Sequence, residues 1–66
     1  MPNRGWKNRV MDEKRDLDGR IERLLGFIGS DLFANLSLDM QKKLRRQEVI
    51  MELYSEVLAE RIASFE

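Results

Sequence analysis

Apolar residues recur every seven positions along two stretches of this 66-residue chain, and one short interruption separates them. No other feature constrains the fold as strongly. A helix turns once in about 3.6 residues, so a seven-residue repeat keeps its members on one face. In the first stretch Val10, Leu17 and Leu24 form one series, and Ile21 and Ile28 a second. Lys14 occupies the place in the second series where an apolar residue is expected. Leu25 and Phe27 widen the stripe near its end. In the second stretch Leu44, Met51, Leu58 and Phe65 recur, with Met40, Gln47, Tyr54 and Arg61 read as the companion series. A further apolar set, Ile50, Leu53 and Val57, lies beside the first, with Ile62 on the other flank. Strand-like alternation and hairpin dipeptides are missing from the sequence.

The spacing predicts a helix over about 6–28, a connector over 29–37 and a second helix over about 38–65, together one domain over 1–66. Gly29 is placed to end the first helix in a left-handed conformation. Ser37 is suited to cap the second, with Asp39 at the positive end of the helix dipole. Leu32, Phe33 and Leu36 predict a helical turn closing the hairpin. At about 1.5 Å per residue the helices are about 35 and 40 Å long, and a short connector makes them antiparallel. That pairing brings Ile21 near Gln47, Lys14 near Tyr54, Val10 near Leu58, and Trp6 near Ile62 and Phe65. Gly19, inside the first helix, costs about 1 kcal/mol relative to Ala. It is expected either to admit a close neighbour or simply to be tolerated.

The apolar arc of the second helix is wider than one partner helix needs. A core in a chain this short rarely supplies more than roughly 3–5 kcal/mol, and with no Cys there is no disulfide to add to it. The expected fold class is therefore all-α: an antiparallel two-helix hairpin with a short helical connector, assembling into a homo-oligomeric helical bundle. Ile50, Leu53 and Val57 are the expected interface, with Trp6 as an anchor of the open end or an interface hot spot.

Composition narrows function. Twelve Lys and Arg balance twelve Asp and Glu, which argues against general nucleic-acid binding. Without His or Cys, thiol chemistry, zinc fingers and imidazole acid–base catalysis are excluded. The sequence has no glycine-rich phosphate loop, no nucleophile elbow, and no carboxylate set in an apolar run that would raise its pKa. The expectation is a non-catalytic protein without metal or cofactor. No apolar run approaches the length of a membrane span, and Met1 to Trp6 lack a signal peptide's apolar stretch, so a cytoplasmic location is expected.

Three polar groups are candidates for function. Lys42, Lys43, Arg45 and Arg46 cluster at the start of the second helix, where cations oppose the dipole, and suit a phosphate or an acidic protein surface. A solvated helix face is the plainer account. Glu48, Glu52, Glu56 and Glu60 follow at every fourth residue and call for basic partners, or for solvent. Lys14, Gln47, Tyr54 and Arg61 are polar members of apolar series. They either set register and oligomer state or line a pocket between chains, with Tyr54 stacking on a base and Lys14 or Arg61 meeting phosphate. Arg45 and Arg46 complete this candidate ligand set.

Several segments carry a resemblance. They are Leu32-Phe33-Ala34-Asn35-Leu36, Leu44-Arg45-Arg46-Gln47, and the run from Met51-Glu52-Leu53-Tyr54-Ser55 to Arg61-Ile62-Ala63-Ser64-Phe65. With Arg9-Val10-Met11-Asp12-Glu13-Lys14 and Leu17-Asp18-Gly19-Arg20-Ile21, they make nearly the whole chain resemble a family of very short helical accessory proteins of tailed phages, found in crAss-like and other phages. Tyr54-Ser55 and Arg45-Arg46-Gln47 are the parts that helical periodicity alone does not produce. The resemblance implies a phage origin and an accessory role acting by binding in the host cytoplasm. Similarity in size and helical character to phage proteins that sequester cyclic-nucleotide signals makes capture of a nucleotide immune signal the leading expectation. Occlusion of a host defence or regulatory protein, and a small virion or scaffold component, are the alternatives.

Overall fold

A computed structural model describes residues 2–65, and the side chains of 5–65; Met1, the first residue of the stretch expected not to be a signal peptide, lies outside them. Helix α1 spans Pro2–Ile28, α2 spans Asp31–Ala34, and α3 spans Leu38–Ala63. The two long helices pack along their length, in a rod of 50 × 14 × 14 Å. The helix α1 begins four residues before the expected start, with Pro2 at a position where its missing N–H has no helical partner to lose. None of these helices is long and apolar enough to cross a membrane.

The seam follows from the repeats. Val10, Leu17, Ile21 and Leu58 form the buried core, with Met51, Ile62 and Phe65 packed against it. Leu58 has no exposed surface at all. At the open end Trp6 meets Phe65 edge to face, with ring centres 4.9 Å apart. At the closed end Phe27 meets Phe33 in the same way at 6.1 Å. Phe33 comes from α2, so the expected helical turn of the connector plugs the hairpin, while its neighbour Leu32 points to solvent.

One expected series is displaced. The companion of Leu44, Met51 and Leu58 in the seam is Gln41, Glu48, Ser55 and Ile62, each buried or half-buried, whereas Met40, Gln47, Tyr54 and Arg61 are exposed. The cross-strand pairs shift by one residue accordingly: Lys14 meets Ser55, and Tyr54 meets Glu13. The reason is the geometry of a two-helix seam. The stripe facing a single partner centres on Leu58 and Leu44, and residues one position before each Gln41-series member rotate to its edge.

The chain ends of the helices are satisfied locally. Ser37 caps α3 by accepting from the Met40 N–H at 3.1 Å. Gly29 does not adopt the left-handed conformation expected of it, since no glycine has positive φ among the described residues. Instead the Ser30 hydroxyl donates to the Phe27 carbonyl at 2.6 Å and accepts from the Phe33 N–H, closing α1 and opening α2 with one side chain. Gly19 admits no close neighbour. A Cβ there would meet only the Arg23 side chain at ordinary contact distance, and one at Gly26 would meet nothing.

Two stability predictions follow from this packing. Leu58→Ala should destabilise by about 2–5 kcal/mol, because the seam has few other atoms to collapse into the void. Gly19→Ala should stabilise by about 1 kcal/mol, raising the melting temperature by about 4–8 °C for a domain of this size. Thermal unfolding followed by circular dichroism at fixed protein concentration measures both.

Candidate binding site

The six candidate ligand residues divide between the two flanks of the hairpin and its outer face. On one flank Lys14 is already engaged. Its Nζ lies 2.6 Å from Asp18 Oδ2 and donates to Ser55 Oγ at 3.2 Å, and Ser55 donates to Asp18 Oδ1 at 2.5 Å. This three-residue network ties α1 to α3 across the seam. Lys14 therefore fills the gap in its apolar series as a register device, with its aliphatic stem in the seam and its charge on Asp18. The Lys14 hydrogen bond, then that of Ser55, holds the Asp18 carboxyl below its ordinary value of 3.8.

Tyr54 lies on the other flank. Its hydroxyl donates to Glu13 of α1, which raises the phenol's pKa, assisted by desolvation, while the nearby Arg61 pulls it the other way. Gln47, Tyr54 and Arg61 stand seven residues apart on α3 and so share this flank. Arg61 also borders an open cleft of about 490 Å³ formed with Trp6, Val57, Glu60, Ser64 and Phe65. An aromatic ring and a guanidinium two turns apart, beside an apolar hollow, can accept a planar group and an anion together. Arg45 is placed elsewhere: its guanidinium lies over the Phe33 ring, 5.1 Å from the centre, at the closed end. Arg46 points outward from α3.

Glu48, expected with Glu52, Glu56 and Glu60 on a charged face turned to basic partners or solvent, is instead taken into the seam. It is only 8% exposed, and its Oε2 has no hydrogen-bond partner. Its neighbour is another carboxyl, Glu52, one turn on. Two ionised carboxylates cannot hydrogen-bond each other; a proton on one makes it the donor. The Glu52 interaction and burial together push the Glu48 carboxyl above its ordinary value of 4.5. The seven-residue spacing of Gln41, Glu48, Ser55 and Ile62 is the signal that finds Glu48 and Ser55. It is masked in the sequence because Met40 and Tyr54 make the neighbouring series look more apolar.

Ile50, Leu53 and Val57, the expected interface, are 57%, 55% and 48% exposed, and Val49 beside them 52%. Among the described residues five hydrophobic side chains are buried, whereas eleven large ones are exposed. Trp6, also expected at an interface, is held by Phe65 with its outer edge open to solvent.

The two shifted carboxyls act on stability with opposite sign. Asp18, with its folded pKa lowered, contributes stability that is present above about pH 4 and lost as pH falls further. Glu48, with its folded pKa raised, contributes stability that is present at acid pH and lost as pH rises through that pKa. Asp18→Asn should therefore lower the melting temperature at pH 7 and flatten its acid decline. Glu48→Gln should raise the melting temperature at pH 7 and lose that advantage by pH 4. Melting curves at pH 3, 4, 5 and 7 separate the two.

The model of a protein family described as Sequestin matches residues 4–64. No curated protein and no solved structure matches the chain.

Proposed function

The chain belongs to the Sequestin family, and on that premise we propose that it is a non-catalytic phage protein that binds and holds a nucleotide immune signal of the host, within a homo-oligomeric helical assembly in the host cytoplasm. The family's description speaks of sequestration, and binding without turnover is what a chain lacking His and Cys is equipped for. The observation that carries the reading is the Gln47–Tyr54–Arg61 flank. Tyr54 offers a ring for a base, Arg61 a forked donor for a phosphate, and the cleft beside Arg61 an apolar floor. Lys14, committed to Asp18 and Ser55, is a positioning residue in this reading, not a ligand contact.

A second reading is favoured by the exposed stripe of Ile50, Leu53 and Val57: occlusion of a host defence protein through that apolar face.

Isothermal titration of the wild-type protein with a panel of cyclic di- and trinucleotides and cyclised adenine dinucleotides discriminates these. Capture predicts heat with at least one member. Tyr54→Ala and Arg61→Ala should each weaken it tenfold or more, about 1.4 kcal/mol, without changing sedimentation. Lys14→Ala should lower the melting temperature and leave affinity within a few-fold. Silence across the panel at millimolar ligand would remove capture and leave the occlusion reading.

A further inference from the structure

Charge is not spread evenly along the outer face of α3. Reading down the side turned away from α1, the exposed residues at alternating steps of four and three run through Arg46, Ile50, Leu53, Val57 and Glu60, with the mutually paired Asp39 and Lys43 before them and Ser64 after. These spacings place all five on one stripe. The stripe has a cation at one end, an anion at the other, and three apolar residues between, each about half exposed. Among the described residues neither Arg46 nor Glu60 makes an ion pair within the chain, although Lys43, Arg15 and Lys14 do.

The order of this stripe is its own complement when reversed. We infer that a second copy of this chain covers it, with the two α3 helices antiparallel about a two-fold axis at Leu53. In that register Leu53 meets the partner's Leu53, Ile50 meets the partner's Val57, and Arg46 meets the partner's Glu60, each of the unlike contacts occurring twice. A parallel pairing places Arg46 on Arg46 and Glu60 on Glu60, like charge on like. Charge complementarity therefore selects the antiparallel arrangement, and the isologous symmetry lets one stripe serve both copies.

The register bears on the binding flank. A two-fold axis perpendicular to the helices keeps corresponding flanks on one side of the dimer, so both Gln47–Tyr54–Arg61 rows border the same groove. Gln47 of the partner subunit then lies level with Arg61, and each site is completed across the interface. The inference rests on the self-association in the proposed function and not on the identity of the ligand.

Sedimentation equilibrium tests it without ligand. Arg46→Glu and Glu60→Arg should each weaken dimerisation on the order of tenfold, since each replaces two attractions by two repulsions. The double variant should return to within a few-fold of wild type. Because the chain has no Cys, Lys43→Cys and Ser64→Cys proteins can be mixed and treated with a short bismaleimide. The register places residue 43 beside the partner's residue 64, so the mixture should cross-link, whereas Lys43→Cys alone, about 30 Å from its own copy, should not. Unchanged dimerisation in the single variants, no recovery in the double, or self-linking of Lys43→Cys overturns the register. A wild-type protein that sediments as a folded monomer at micromolar concentration overturns it too. Nucleotide binding by wild type in any of these cases leaves capture standing, and a confirmed register with no binding removes capture alone.

Discussion

The buried cluster of Val10, Leu17, Ile21 and Leu58 is the packing on which the rest depends. Two helices alone can bury only one stripe each, and here that stripe contains four buried hydrophobic residues, of which Leu58 alone is wholly covered. Every polar group near it is accordingly placed with respect to register. The Lys14–Asp18–Ser55 network bridges the helices at one level, the Tyr54–Glu13 hydrogen bond at nearly the same level on the opposite flank, and the Trp6–Phe65 and Phe27–Phe33 ring pairs close the two ends. Sliding one long helix along the other by a single turn breaks the first three together, whereas the Phe27–Phe33 pair holds the connector to α1. The apolar seam supplies the attraction, and these polar and aromatic contacts make one alignment better than its neighbours.

The thinness of that seam leaves this fold its outer surfaces with which to meet another molecule. A rod 14 Å across has no interior in which to enclose a ligand. Recognition has to use a flank, a cleft between the helices, or a groove made with another copy. The Gln47–Tyr54–Arg61 row meets this condition because it borders the seam without being consumed by it. Glu48 shows the opposite case: a carboxyl drawn into the seam, with an oxygen unsatisfied, is a local loss that a structure tolerates only where it contributes something else. With Glu52 and burial holding its carboxyl above the ordinary value, Glu48 places part of the seam's stability under the control of pH.

Membership of the Sequestin family and the geometry of α3 bear on different questions. The family match bears on ancestry along residues 4–64. The helix speaks to how a small rod presents ring, guanidinium and apolar surface on one side. The division of labour among the basic residues follows from placement: Lys14 serves the seam, Arg45 covers Phe33, Arg46 faces outward, and Arg61 alone stands beside both an aromatic ring and a hollow.

Much of this was written locally. Seven-residue recurrence at Val10, Leu17, Leu24 and at Leu44, Met51, Leu58 determines two helices and the face each turns inward, and Ser37 marks where the second begins, because periodicity and capping are short-range properties of the chain. The exposure of Ile50, Leu53 and Val57 was legible for the same reason: a helix cannot turn two stripes toward one partner. What only the tertiary structure decided is which polar residues enter the seam. Gln41, Glu48 and Ser55 lie within one residue of Met40, Gln47 and Tyr54, and a rotation of α3 by about 100° exchanges the two sets. That rotation is chosen by the cross-helix contacts of Lys14, Asp18 and Glu13, which lie some forty residues away in sequence. Within α3 its trace is the seven-residue spacing of Gln41, Glu48, Ser55 and Ile62, and the neighbouring set has the same spacing, so the choice between them is made across the seam.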